Sequence, residues 1–266
     1  MIYSVFLYVI IFLVALTMTM AGKGGGNFYV VILALANIPM HTAASTGQFI
    51  LCAASLSAMI VFHKNKSISW KLAILLGTTT ALFAFFGGFL AHQFSALSLK
   101  IIFALMLVAS GVIMLVPTRS LQNEKLTTDQ KSIWRFPLHT GEEIYQINLL
   151  VILPVTILTG FASGMVGVSG GSFLVPLMVL AAGVPMHIAI GTASILIAAT
   201  SGMGFIGHAI QGDFIPSLAL PLAAMTMLGG IIGGLFALKS KPNYLKQLFA
   251  YTNFLAAVMM IIQIIL

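Results

Sequence analysis

The chain has 266 residues, of which 60% are hydrophobic and 6% charged, with a mean hydropathy of +1.10. Soluble domains carry about 25% charged residues, so a soluble fold is excluded and a bilayer must accept the apolar surface. The net charge of +7 lies in short loops between apolar runs, a topology signal and not a nucleic-acid footprint, and the single cysteine, Cys52, excludes an internal disulfide framework or a cysteine metal site.

The first 20 residues are apolar and lack a basic start or a small-residue cleavage motif before Gly22. They read as a retained membrane segment. Further apolar runs fall at 27–38, 42–62, 70–91, 99–117, 147–163, 172–184, 187–207, 215–237 and 247–266. A helical crossing needs about 20 residues, so 27–38 and 172–184 are too short, and each follows a glycine-rich break. The long polar stretch 118–146 reads as a cytoplasmic connector between a first repeat, 1–117, and a second, 147–266.

The halves match in sequence. Gly22-Lys-Gly-Gly-Gly-Asn-Phe28 aligns with Gly167-Val-Ser-Gly-Gly-Ser-Phe173, and Pro39-Met40-His41 with Pro185-Met186-His187. Thr46 matches Thr192, His63 matches His208, and Gly87-Gly88 matches Gly233-Gly234, always at an offset of 145 or 146. Loop charge flips between the halves. Lys64, Lys66 and Lys71 occupy one loop of the first half, whose counterpart 208–216 has no Lys or Arg. Loop 92–98 has none, whereas its counterpart carries Lys239, Lys241 and Lys246. Equivalent loops therefore belong on opposite sides of the membrane, the plan of inverted repeats. The expected fold is all-α, each repeat holding a glycine-tipped, broken or re-entrant helix pair and three full crossings. Both termini are expected outside. Whether the short segments re-enter or cross is left open by charge.

All five acidic residues fall in loops. Cation carriers place carboxylates in the membrane, so the pattern favours an anion or a neutral solute. Lys23 lies in the first glycine break, where it offers a positive charge to an anion; in a full crossing it is an ordinary basic flank. Asn27 and the free amides that open run 27–38 add donors. Gly24, Gly25 and Gly26, with Gly170 and Gly171 in the second half, suit a broken helix, or else tight packing of small residues. His41 and His187 stand at equivalent places after a proline; Thr46, Gln48, Thr192 and Ser194 follow them as polar residues within apolar runs. These either line a polar path or bond between helices. His63, His92, His139 and His208 read as bland end-of-segment residues.

Two other classes compete. Gly167-Val-Ser169-Gly170 matches the Gly-x-Ser-Gly of intramembrane serine proteases, with His187 or His208 as base, but the first-half counterpart of Ser169 is Gly24. Fifteen methionines and six histidines suggest a metal-ion transporter, yet the methionines are scattered as apolar filler.

Gly167-Val-Ser-Gly-Gly-Ser-Phe-Leu-Val-Pro-Leu-Met178 resembles the G-x-G-G-G-x-x-x-x-P-x-L signature of the TauE/SafE family of sulfite exporters and related permeases. Ala189-Ile-Gly-Thr-Ala-Ser194 resembles its next element, and the duplicated layout extends the likeness over nearly the whole chain. The resemblance implies eight or so membrane segments in the cell (inner) membrane. It implies a transporter of small sulfur-containing anions such as sulfite or sulfonates, with no enzymatic activity and no cofactor. The motif positions carry over to Gly22, Gly24, Gly25, Gly26, Gly167, Gly170, Gly171, Pro176 and Thr192. Ser169 stands where the second motif has a glycine, Lys23 takes a variable position, and Val31 replaces the first-half proline. The expected site is a substrate cradle of Lys23, Asn27, Ser169, Ser172 and tip amides, without a metal. The partners expected are the anion, the lipid bilayer and, in a homo-oligomer, a second copy.

Overall fold

The structure is a computed structural model and describes residues 2–115, 135–140, 143–181 and 183–265. Most of it is helix, as expected. Helix α1 (Ile2–Met20) runs to the first glycine break and α2 (Gly26–Leu35) returns from it; α3 (Met40–Lys64), α4 (Trp70–Leu90) and α5 (Ala96–Leu115) follow. The second half repeats the order with α6 (Leu149–Val166), α7 (Gly171–Pro176), α8 (Met186–Ile210), α9 (Pro216–Lys239) and α10 (Pro242–Ile265). Six of these, α3, α4, α5, α8, α9 and α10, are long and apolar enough to cross a bilayer. The short runs are short helices. Helix α7 passes at Pro176 into a π-helical turn, Leu177–Ala181; proline supplies no N–H for the regular ladder, and a wider turn accommodates that gap.

Two boundaries differ from the sequence pattern. Helix α10 begins at Pro242, five residues before the apolar run, because proline's missing N–H and fixed φ suit a first helical position. The connector holds an antiparallel hairpin, β1 (Arg135–Thr140) against β2 (Glu143–Asn148), pairing Arg135 with Asn148 and Thr140 with Glu143. Residues 116–134, the larger part of the expected connector, lie outside the described residues.

Helices α3 and α8 form the centre. Two-thirds of each span is buried, against 33% and 39% for α5 and α10 on the outside. The flanks carry exposed large apolar side chains, among them Ile74, Leu105, Leu158, Leu220 and Tyr251. In water such a surface would aggregate; in a bilayer it is solvated.

The packing repeats when the halves are exchanged. Helix α4 lies on α6 and α8, as α9 lies on α1 and α3; α2 packs on α3 and α10, as α7 packs on α8 and α5. The central pair runs antiparallel: Gln48 near the start of α3 meets Gly204 near the end of α8, while Ser69 just past α3 donates its N–H to Thr192 Oγ1 near the start of α8.

Candidate functional site

The two glycine breaks meet at the centre. Gly22, Gly24, Gly25 and Gly167 have positive φ, the left-handed region in which a Cβ is strained, so the reversal from α1 into α2 depends on glycine. The tips also touch backbone to backbone. A Cβ on Gly26 would lie 2.8 Å from the Ser169 nitrogen, and one on Gly171 would lie 2.9 Å from the Gly22 carbonyl oxygen.

Repeat-equivalent side chains bond across this contact. Asn27 Nδ2 donates to Ser172 Oγ at 2.7 Å and lies 3.3 Å from Asn253 Oδ1. Asn253 Nδ2 donates to Ser110 Oγ at 2.7 Å, and Ser110 Oγ donates in turn to the Ser172 carbonyl. The network thus ties α2 and α7 to α5 and α10. Asn27 Oδ1 is buried with no hydrogen-bond partner among the described residues.

Lys23 lies in this network, 1% exposed. Its ammonium donates to the Phe249 carbonyl at 2.5 Å, Thr252 Oγ1 at 2.6 Å and Asn253 Oδ1 at 2.7 Å, and sits 4.2 Å from the centre of the Phe249 ring. Three donors meet three acceptors. All three acceptors are neutral, and Lys23 forms no ion pair among the described residues. A buried charge with hydrogen bonds but no counter-charge remains short of several kcal/mol of compensation. In this conformation the ammonium therefore points at α10 and not into an open cradle.

A cavity of about 10 Å³ lies beside the first tip, between α3 and α8, roughly the room of one water. Thr19, Gly24, Ser55, Phe62 and Ser194 line it. Thr19 Oγ1 and Ser55 Oγ have no hydrogen-bond partner among the described residues, while Ser194 Oγ donates to the Gly191 carbonyl. The equivalent place beside the second tip carries Gln48 and His208, both hydrogen-bonded to the end of α6. Gln48, the counterpart of Ser194, donates from Nε2 to the Ser163 carbonyl at 2.8 Å. Helices α3 and α8 have the same length at an offset of 146, which sets His208 against Phe62 and not against the His63 of the sequence match; His208 donates from Nε2 to the Gly164 carbonyl at 3.0 Å.

The other expected residues disperse. Ser169 Oγ accepts the Gly171 N–H at 3.1 Å, supporting the start of α7. Gly25 starts no side-chain cap for α2, and Gly170 occupies the same place before α7. Thr46 is buried with its hydroxyl unpartnered among the described residues. His187 is exposed. His41 stacks on His92 with ring centres 4.6 Å apart. His92 and His208, which the sequence marks as bland, both face Asp213: His92 Nε2 donates to Oδ2 at 2.8 Å and His208 Nδ1 lies 3.6 Å away. Burial pushes the Asp213 carboxyl up, but the neighbouring His208 and His92 rings outweigh it and hold the group below the ordinary carboxylate range. Asn253, Thr252 and Ser110 were also missed; their one signal was polarity within an apolar run. His139 lies in β1, and its side chain is outside the description.

The model of the sulfite exporter TauE/SafE family matches residues 7–260. The chain belongs to this family. It is similar to "Probable membrane transporter protein YdhB" of Bacillus subtilis, 24% identical over 95% of the chain and 98% of the relative. It is also similar to "Probable membrane transporter protein YunE" of the same organism, 23% identical over 74% of the chain and 72% of the relative. A third, "Probable membrane transporter protein MJ0441" of Methanocaldococcus jannaschii, is 26% identical over 66% of the chain and 61% of the relative. No solved structure matches the chain. With its relatives named as transporters and six helices among the described residues long and apolar enough to cross a membrane, the chain is a multi-pass membrane transporter of the TauE/SafE family.

Proposed function

We propose that this TauE/SafE transporter is a secondary carrier of small sulfur-containing anions, sulfite or sulfonates, bound where the two glycine tips meet. The observation that carries the reading is Lys23, a buried ammonium with neutral partners on every donor. An anion supplies the missing charge, exchanging one or more of the α10 contacts for its own oxygens. Asn27, with one free acceptor and a donor shared between Ser172 and Asn253, orients it. The sulfur chemistry rests on the family.

The halves act as inverted repeats in this reading. The antiparallel course of α3 and α8, which hold equivalent sequence, supports it, as does the flip of loop lysines. By the positive-inside rule the connector and the Lys64 end of α3 face the cytoplasm, and both termini and His41 face outside. The cavity beside Ser55 and Ser194 then lies on the cytoplasmic half, and Gln48 and His208 close the outer half. Rocking one half against the other exchanges these arrangements.

The test is Asn253→Asp, which places a carboxylate beside the Lys23 ammonium, where Oδ1 now stands at 2.7 Å. Sulfite or a short sulfonate at about 100 times Kd should stabilise the purified wild type by about 2.7 kcal/mol, read as a thermal shift. The variant, with its counter-charge built in, should fold and show no anion-dependent shift. An unchanged shift in the variant removes Lys23 from the site.

A further inference from the structure

Away from the glycine tips, ligating side chains from three separate segments converge at the His41 end of the bundle. His41 starts α3, His92 lies in the short helical turn after α4, and Asp213 lies between α8 and α9. One ligating atom from each falls within 4.8 Å of the others. We propose that His41, His92 and Asp213 bind a divalent cation of the zinc type, which pins these three segments together across the mouth of the outer half.

The donor set fits that class. Two imidazoles and a carboxylate are ordinary zinc ligands, whereas magnesium and calcium prefer oxygen alone. Zinc ligands at about 2.0–2.2 Å from the metal stand about 3.3 Å from one another in tetrahedral geometry. The present spread closes to that when the exposed His92 ring turns off its stack on His41. Two further features support a built site. His41 Nδ1 is buried without a hydrogen-bond partner among the described residues. Asp213 Oδ2 also has His208 Nδ1 3.6 Å away, on a ring itself fixed to the Gly164 carbonyl through Nε2. Outer partners of this kind orient a ligating carboxylate. They also join the surface cluster to the second glycine tip, so a metal bound there would be felt at the closure formed by His208 and Gln48.

Binding of the metal is independent of the anion reading; the pinning rests on the alternating-access part of it. The experiment titrates tag-free, detergent-purified full-length protein with zinc by calorimetry. The expected result is one zinc per chain, no heat with magnesium, and at least tenfold weaker binding in His92→Ala and in Asp213→Asn. His63→Ala, an exposed histidine outside the cluster, should bind as wild type. Absence of zinc binding, or binding unchanged in both cluster variants, overturns the site. Pinning is read from a Ser163→Cys reporter in a Cys52→Ala background. Zinc should slow its labelling from the His41 side at least threefold, and not when His92→Ala is added. Zinc binding without that slowing overturns the pin. Normal zinc binding with no anion-dependent thermal shift would leave the metal site standing and reject the substrate reading instead.

Discussion

Replacing Gln48 by serine should open the outer half. Gln48 and Ser194 are equivalent positions, 194 − 48 = 146 residues apart, yet one is hydrogen-bonded across to α6 and the other lines a cavity. The glutamine makes one good hydrogen bond, Nε2 to the Ser163 carbonyl at 2.8 Å, and a long one to the Gly164 carbonyl at 3.4 Å. Its Oε1 has no partner among the described residues, so nothing is lost with it. A hydrogen bond between membrane helices is worth about 0.6 kcal/mol on average, and a typical protein hydrogen bond up to about 1.5 kcal/mol. Removing it from the closed arrangement alone should raise the population open on the His41 side about 3- to 13-fold. In reconstituted vesicles of a Cys52→Ala background, Ser163→Cys should react with an impermeant maleimide added on that side faster by that factor. Ser55→Cys, which reports the opposite half, should be slowed less than twofold. Labelling of the residue 163 thiol that is unchanged or slower in the Gln48→Ser variant would refute the assignment of Gln48 as a closure.

Other outcomes follow from close contacts. Gly164→Ala would put a Cβ 2.1 Å from the Ala84 carbonyl oxygen, a backbone atom that cannot rotate away, whereas Gly202→Ala meets only Cys52 Sγ at 3.5 Å. Thermal unfolding in detergent should show Gly164→Ala destabilised by about 2 kcal/mol or more and Gly202→Ala near wild type. Ser169→Gly removes the hydroxyl that accepts the Gly171 N–H. Exchange of a capping residue for glycine costs only a few tenths of a kcal/mol, so the variant should retain anion exchange in vesicles; complete loss would give Ser169 a chemical role.

The glycine tips were legible because they break a local rule: runs too short to cross, each preceded by residues that tolerate positive φ. The transporter class was legible in the same way, from segments and composition. The partners of Lys23 were not. Thr252 and Asn253 lie more than 225 residues away in sequence, on the helix that ends the chain, and one polar residue in an apolar run also serves as glue between helices. The sequence pattern therefore aimed the Lys23 charge at substrate when its donors, in this conformation, meet α10. His92 and Asp213 read as loop residues for the same reason. Their 2.8 Å contact exists because α4 and α8 pack side by side, a fact of tertiary arrangement that spacing along one chain does not carry. The connector hairpin was missed because mixed charges obscured the period of two on which a strand is read.

The differences between the halves have a consequence of their own. In an inverted repeat, exchanging the conformations of the two halves converts one facing state into the other. Two identical halves would make those states equal in energy, so any resting preference must come from positions at which the halves differ. Around the tips these positions include Ser194 against Gln48 and Phe62 against His208. Closure beside the second tip uses directed hydrogen bonds to the Ser163 and Gly164 carbonyls. The space beside the first tip has an apolar ring and two hydroxyls without partners among the described residues. A polar closure that satisfies carbonyls at the end of α6 favours its own side being shut, and the unpaired Thr19 and Ser55 hydroxyls favour admitting water or substrate on the other. In the proposed carrier, a bias toward opening beside the first tip is thus set by a few side chains on two backbones built to the same plan.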